Sequence, residues 1–278
     1  MTDTLDERER LRRENREQMN RAFAHDTRSR IESFVLGCWV LADEGHSDSL
    51  LGQVSVRGEA PDRFLTQRLG LGLDEVAAEN LIEFDSRLRN HTSAEMVHPG
   101  LSFHVWLYRH RPDVNAIVHT HPPYSVALAM TNQPLRPMSM NAAMLFDEVA
   151  YLKHWPGTPE GDEEGELICE ALGSRSAILL ANHGLLTVGD SFDIALYRAV
   201  FFERAAKAQL LASAHGELKA VTQPAAQSAK EAMTRPGYVR ATVDYWYRQA
   251  ARRRGISGSA AAATVPTASG TPPRARSR

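Results

Sequence analysis

Two histidines, separated by one residue, stand at the end of a short apolar run. Residues 116–118 are apolar and partly β-branched, which predicts a buried strand. Because side chains alternate across a strand, His119 and His121 should point to the same side. Pro122 and Pro123 lack backbone donors and should end the strand. Paired imidazoles at this place make half of a metal site, although an isolated pair is more often an ordinary strand-end pattern.

A third histidine, His183, lies between two further apolar runs. Residues 177–181 and 185–188 predict two strands, joined by the tight turn Asn182-His183-Gly184. Alone, His183 is a tolerated turn residue, but a hairpin histidine and a strand-end pair can converge in space. Three neutral imidazoles with nitrogen–metal distances of roughly 2.0–2.1 Å and one open position describe a catalytic metal site. Sequence spacing alone does not establish that convergence.

Strands and helices that could position these histidines are visible along most of the chain. Alternation of apolar and polar residues predicts strands at 52–57, 63–66 and 80–85. Helical spacing predicts helices at 31–42, 101–110, 124–130, 163–172, 191–215 and 236–252. Gly173 is expected to close the helix at 163–172 as a left-handed cap. We therefore divide the chain into a charged helical extension (1–30), one domain (31–252) and a disordered Ala/Ser/Pro-rich tail (253–278).

Composition excludes several classes of partner. The 278 residues include 32 basic and 34 acidic side chains, a formal charge of −2, so neither nucleic acid nor a membrane surface is expected as partner. No apolar run approaches the roughly 20 residues that span a bilayer, and the acidic N-terminus lacks the apolar region of a signal peptide. Cys38 and Cys169 stand far apart in apolar surroundings. Two reduced, buried thiols predict a cytoplasmic location.

Three segments together resemble the class II aldolase/adducin family: residues 111–121, residues 182–184 and residues 52–57. Their order and spacing match over about residues 31–215. The resemblance implies an α/β fold, a three-layer α/β/α domain with a mixed, mostly antiparallel central sheet, often assembled as a homotetramer with active sites at subunit contacts. Carried over by position, His119, His121 and His183 are the ligands of a divalent metal, Fe²⁺ or Zn²⁺.

The chain also departs from the sugar-phosphate aldolases of that family. They carry a Ser-Ser-Glu run four residues before a helix histidine, where this chain, counted back from His104, has His-Pro-Gly at 98–100. Those aldolases begin a strand with Gly-Asn, where this chain has Gly-Gln at 52–53. They bind phosphate with a Thr-Gly loop, where this chain has Gln-Arg-Leu-Gly at 67–70. A phosphate needs several convergent donors, so a phosphorylated ketose is not expected. A neutral three-histidine set should instead favour an anionic chelating substrate.

Several further residues are candidates for the chemistry around the metal. His98 could donate a proton or hydrogen-bond the substrate, or be an exposed loop histidine. Arg68 and Arg57 could hold a carboxylate bidentately, or be ordinary surface arginines. Glu95 could replace the missing carboxylate, although a solvated loop charge is the simpler interpretation.

Aromatic and helical positions add three more candidates. Tyr245 and Tyr247 could reach the site of a neighbouring subunit, as C-terminal tyrosines do in the family; core packing is the alternative. His104, on an aromatic helix face, is expected to be a core histidine. Our candidate set for catalysis is therefore His98, Arg68 and Tyr245.

The expected function is cleavage of a carbon–carbon bond next to a carboxylate or carbonyl, with the metal as Lewis acid. The predicted substrate is a small carboxylic acid, a non-phosphorylated and aromatic 2-oxo or 2-hydroxy acid. Similar family members include decarboxylases, and enzymes of aminocoumarin antibiotic pathways that use non-haem iron and O₂. One alternative is a zinc-dependent retro-aldol lyase. Another is a non-enzymatic, adducin-like interaction domain, but adducin-type domains lose the metal histidines that this chain retains.

Overall fold

A single mixed sheet forms the middle of the protein. The structure, a computed structural model, describes residues 2–23, 28–47, 49–154, 157 and 162–256. Within these ranges the strands are β1 Gln53–Arg57, β2 Phe64–Gln67, β3 Leu81–Phe84, β4 Ala116–Thr120, β5 Val149–Leu152, β6 Ala177–Leu180 and β7 Gly184–Gly189. They are ordered β3-β2-β1-β4-β7-β6-β5. Every neighbouring pair is antiparallel except β5 and β6, which are parallel.

Helices cover both faces of this sheet. They are α1 Thr2–Ala22, α2 Arg30–Asp43, α3 Ser102–His110, α4 Pro123–Ala129, α5 Met140–Ala143, α6 Glu163–Leu172, α7 Phe192–Ser213, α8 Gln223–Met233 and α9 Pro236–Arg253. Short 3₁₀ turns cover Leu73–Glu75, Ala78–Asn80 and Pro99–Leu101. In the described part of the chain, no helix is both long and apolar enough to cross a membrane.

Alternation along β4 divides the core into two halves. Val118 faces one side, in a cluster with residues of α2, α7 and α9, whereas Ile117 faces the other with residues of α3 and α6. Burial of apolar side chains on both faces explains why the central strands read as continuous apolar runs. The predicted three-layer α/β/α fold with a mixed, mostly antiparallel sheet is confirmed.

The structure differs from the sequence-based element predictions in a few places. The segments α5, β5 and α8 were not predicted; they are short or largely exposed. Gly173 ends α6 with φ +54° and ψ −129°, outside the left-handed helical region. Cys38 is buried and Cys169 half-buried, and both are free thiols. The division at residues 30 and 252 stays a prediction, and residues 257–278 of the predicted tail lie outside the described residues.

Candidate metal centre

Three imidazoles meet at one end of the sheet. β4 lies between β1 and β7, with His119 opposite Gln53 on one side and Leu186 on the other. The turn between β6 and β7 carries His183 to the same end. Ring centroids are 4.8 Å apart for His119 and His121, 5.0 Å for His119 and His183, and 4.9 Å for His121 and His183. Their ligand nitrogens all lie within 4.8 Å of one another.

The tautomer of His119 is set by a backbone carbonyl. Its Nδ1–H donates to the carbonyl oxygen of Leu185 at 3.0 Å, so Nε2 of the neutral ring carries a lone pair. That Nε2 lies 3.1 Å from Nε2 of His121. Two nitrogens bound to one cation at roughly 2.1 Å can be at most about 4.2 Å apart. The pair therefore fits a shared cation, with the backbone bond orienting the ring.

Burial favours the neutral form of two of these imidazoles, those of His119 and His183. It is the main cause that lowers the pKa of His119 well below its usual value, with smaller effects from His121 and His183. Burial, followed by His121, also lowers the pKa of His183 to about 4. Neutral imidazole is the form that binds a metal. His119 and His183 are therefore in the form that can bind a divalent cation at neutral pH.

Two glycines permit the close approach of backbone and imidazole. A Cβ on Gly184 would lie 2.4 Å from Cδ2 of His121 and 2.7 Å from the carbonyl oxygen of Thr120. A Cβ on Gly52 would lie 2.9 Å from the carbonyl oxygen of His119, and Gly52 has φ +100°. Both positions therefore require glycine, because any larger residue would displace the segment that carries the histidines.

A buried carboxylate fixes the chain just beyond His121. Glu203, on α7, accepts hydrogen bonds from the backbone N–H of Tyr124 at 2.8 Å and of Ser125 at 2.7 Å, and from the Ser125 hydroxyl at 2.7 Å. These groups form the first turn of α4, whose N–H groups have no partner within the helix. Sequence reasoning missed Glu203, because nothing near it in the sequence indicates that it caps a distant helix.

The space beside position 100 holds His98 and Gln53. Nδ1 of His98 accepts a hydrogen bond from the Gly100 N–H at 3.0 Å, and its Nε2 lies 3.4 Å from the Gln53 side-chain nitrogen. A Cβ on Gly100 would lie 3.0 Å from His98 Nδ1 and 3.2 Å from Gln53 Oε1. Gln53 is the strand neighbour of His119, so the half-buried His98 contacts a residue that lies next to His119 in the sheet. Burial lowers the pKa of His98.

Arg68 stands at the same end of the sheet, whereas Arg57 does not. Thr66 pairs with Ser55 in antiparallel register, which brings Arg68, two residues further on, level with Gln53. Nη1 of Arg68 contacts Glu95 at 2.9 Å, and both side chains are partly exposed. Glu95 is not part of the histidine cluster.

Three other candidates, Arg57, His104 and Tyr247, make contacts within the fold rather than with the three histidines. Arg57 donates Nε–H to the carbonyl oxygen of Val114 at 2.7 Å, at the far end of β1. His104 is buried, with Nδ1 2.7 Å from Ser55 Oγ. Tyr247 is buried and donates to Asp193 at 2.6 Å.

Tyr245 lies apart from the three histidines in this chain. It is 51% exposed on α9. It lines a separate cavity of about 230 Å³ with Glu44, Arg204 and neighbouring residues, and none of the three histidines contributes to that cavity's described lining. A role at the metal centre therefore requires a second copy of the chain.

A carboxylate that sequence reasoning missed lies close to His183. Oε1 of Glu164, on α6, is 3.8 Å from Nδ1 of His183, and the Glu164 side chain is 15% exposed. Burial raises the pKa of Glu164. The neighbouring Gly165, a glycine inside a helical pattern, is the local sequence feature that indicates close packing at this place.

Comparison with known protein families gives this geometry a context. The family described as "Class II Aldolase and Adducin N-terminal domain" matches residues 33–210. The chain belongs to this family. Its α/β fold is that of a class II aldolase-like domain.

Characterised members of the class II aldolase family include decarboxylases and an oxygenase. The chain is 29% identical to the decarboxylase NovR of Streptomyces niveus, over 61% of this chain and 64% of that protein. It is 32% identical to a 4-hydroxy-3-prenylphenylpyruvate oxygenase/4-hydroxy-3-prenylbenzoate synthase of Streptomyces roseochromogenus, over 42% of each. The match thus spans less than two thirds of these two relatives. A 3,4-dihydroxyphthalate decarboxylase of Arthrobacter keyseri is 30% identical, over 68% of this chain and 81% of that protein.

Solved structures of the family share the fold. An L-fuculose 1-phosphate aldolase from Glaciozyma antarctica superposes with a TM-score of 0.73 at 25% identity, covering 81% of this chain and 90% of that one. These relatives indicate an enzyme that acts on a small molecule.

Proposed function

We propose that this protein is a metal-dependent carbon–carbon lyase that decarboxylates a non-phosphorylated aromatic 2-oxo or 2-hydroxy acid. His119, His121 and His183 would hold a divalent cation, Fe²⁺ or Zn²⁺. When bound, that cation would supply Lewis-acid polarisation of the substrate's carboxylate and adjacent oxygen. The observation that carries this proposal is the cluster of three imidazoles whose ligand nitrogens lie within 4.8 Å of one another.

The substrate class rests on what surrounds position 100. His98 and Gln53 stand close to Gly100, and the family's carboxylate and two phosphate-binding serines are absent from 98–100. Three neutral ligands leave the charge of a divalent cation uncompensated. An anionic, chelating acid supplies the missing negative charge, whereas the phosphate of a phosphorylated sugar would lack the groups that bind it in the sugar-phosphate aldolases. One decarboxylase relative acts by name on an aromatic acid, 3,4-dihydroxyphthalate, which supports an aromatic acid as substrate.

The chain's own polar groups would bind and orient this acid. Arg68 lies level with Gln53, and its partner Glu95 is partly exposed, so the guanidinium can exchange that partner for a substrate carboxylate. His98 is half-buried beside His119's neighbour Gln53, where its Nε2 can hydrogen-bond the substrate or hold a proton. We further propose a cytoplasmic homotetramer in which Tyr245 approaches a neighbouring subunit's site.

An oxidative version of the reaction, with non-haem Fe²⁺ and O₂, is supported by one relative. The Streptomyces roseochromogenus protein is an oxygenase by name and is 32% identical over the matched part. Zinc-dependent retro-aldol cleavage is the second candidate, supported by the likeness to an L-fuculose 1-phosphate aldolase. The three retained histidines favour either enzyme over an adducin-like interaction domain.

Metal content and turnover test the proposal together. The protein is purified anaerobically, its metal is quantified, and CO₂ release and O₂ uptake are followed with aryl 2-oxo and 2-hydroxy acids. We expect about one Fe²⁺ or Zn²⁺ per chain and CO₂ release. His119→Ala should lose both, whereas His215→Ala, which removes an exposed imidazole, should retain both. A His119→Ala protein with full activity, or a wild-type protein that binds neither metal, would refute the proposal.

A further inference from the structure

Glu164 is the carboxylate that lies nearest to the candidate metal centre without belonging to it. Its Oε1 is 3.8 Å from Nδ1 of His183. Among the described residues, only the three histidines have ligand atoms that all lie within 4.8 Å of one another. Glu164 therefore stands outside the ligand set, on the Nδ1 side of one ligand. Its place differs from that of the family's missing glutamate, which belongs at position 100.

Helix packing brings this carboxylate to its place. A Cβ on Gly165 would lie 2.6 Å from Cβ of Trp106 and 3.3 Å from Cα of Phe103. Glycine at this position therefore lets α6 rest directly on α3, on the sheet face that also carries His119. The adjacent side chains Glu163 and Glu166 are exposed, whereas that of Glu164 is 15% exposed. Only this one of the three acidic residues is directed towards the histidines.

The 3.8 Å between Glu164 Oε1 and His183 Nδ1 suits a hydrogen-bond partner of His183 rather than a metal ligand. A hydrogen bond between an imidazole N–H and a carboxylate oxygen measures roughly 2.7–2.9 Å, so a rotation that moves Oε1 by about 1 Å would form one. Metal-binding histidines commonly donate their second ring N–H to a carboxylate, which fixes the tautomer and makes the other nitrogen a better ligand. His119 already has the equivalent bond, to the carbonyl oxygen of Leu185.

We propose that Glu164 is a positioning residue that accepts the Nδ1–H of His183 and so orients this imidazole towards the metal. This inference rests on the proposed function, because it requires a cation held by the three histidines. A carboxylate hydrogen-bonded to His183 places one negative charge close to the cation and so offsets part of its positive charge. Because Glu164 does not occupy a coordination position, those positions stay available to a bidentate acid.

Metal affinity of the isosteric variant tests this role without relying on activity. Zn²⁺ binding to the metal-free full-length protein is measured by competition with a chromophoric chelator, for wild type, Glu164→Gln and Glu166→Gln. We expect Glu164→Gln to bind Zn²⁺ about 10–100-fold more weakly. Glu166→Gln makes the same charge change at an exposed position of the same helix and should match wild type.

A second measurement separates positioning from folding. The visible absorption of the Co²⁺-loaded protein reports the ligand geometry, and the melting temperature of the metal-free protein reports the fold. We expect altered Co²⁺ bands in Glu164→Gln, with a metal-free melting temperature equal to that of wild type. Wild-type Zn²⁺ affinity in Glu164→Gln, or unchanged Co²⁺ bands, would overturn this inference alone. Failure of the wild-type protein to bind either ion would overturn the proposed function as well.

Discussion

The substitution Glu203→Gln should both destabilise the protein and loosen the metal centre. The Glu203 carboxylate is buried and accepts three hydrogen bonds from the first turn of α4. A glutamine has one acceptor oxygen, and its NH₂ group would face a backbone N–H. One buried donor left unpaired costs about 1–3 kcal/mol. The surviving bonds lose charge assistance, which is worth roughly another 1 kcal/mol, so we expect a total loss of about 2–4 kcal/mol.

Equilibrium unfolding in urea measures this loss, with Glu170→Gln, an exposed helical glutamate, as the control. The loss should appear as a lower midpoint with an unchanged slope. Because α4 begins directly after His121 and Pro122, Zn²⁺ affinity should fall as well. A free energy of unfolding within about 0.5 kcal/mol of wild type would show that the carboxylate does not hold α4. Normal Zn²⁺ affinity despite the loss of stability would show that α4 does not position His121.

Two further predictions concern Arg68 and a buried histidine. Glu95→Gln removes the ionic partner of Arg68. Because exposed ion pairs are worth up to about 1 kcal/mol, an aryl 2-oxo acid should bind to this variant up to about fivefold more tightly than to wild type. Unchanged affinity would argue against Arg68 as the group that binds the substrate carboxylate. His46 is buried beside Thr120, and burial lowers its pKa to about 3. Between about pH 3 and pH 6.5 the unfolded chain therefore takes up a proton that the folded protein excludes, and stability falls with falling pH by about 1.4 kcal/mol per pH unit for this group. In His46→Gln, urea unfolding of the metal-free protein should show a slope smaller by that amount, and a slope equal to wild type would contradict the interpretation.

The parts that could be predicted from sequence are those that depend on local pattern. The alternation around His119 placed both histidines of the pair on one side of a strand, and the structure brings their Nε2 atoms to 3.1 Å. Apolar runs and the alternation of apolar with polar residues predicted six of the strands of the sheet that the structure describes. The seventh, β5, is a short edge strand of half-buried residues, whose pattern carries little periodic signal.

Residues that act through tertiary packing could not be found in this way. Glu203 caps a helix far from it in sequence, and Gln53 contacts His98, which is 45 residues away along the chain. Glu164 looks like its exposed neighbours until α6 is docked on α3 through Gly165. Helical spacing indicates which residues share a face, but not which acidic residue of that face meets an imidazole.

Gly100 and Glu164 together bear on how the site would select its substrate. In the family's sugar-phosphate aldolases a carboxylate at the position of Gly100 is a ligand, and it therefore occupies a coordination position and lowers the charge of the site. Here His98 and Gln53 stand against Gly100, while Glu164 Oε1 lies 3.8 Å from Nδ1 of His183. A carboxylate at that distance offsets charge through space, but leaves coordination positions to an incoming ligand. Under the proposed function, this arrangement would therefore favour a substrate that brings its own anionic oxygens to the cation.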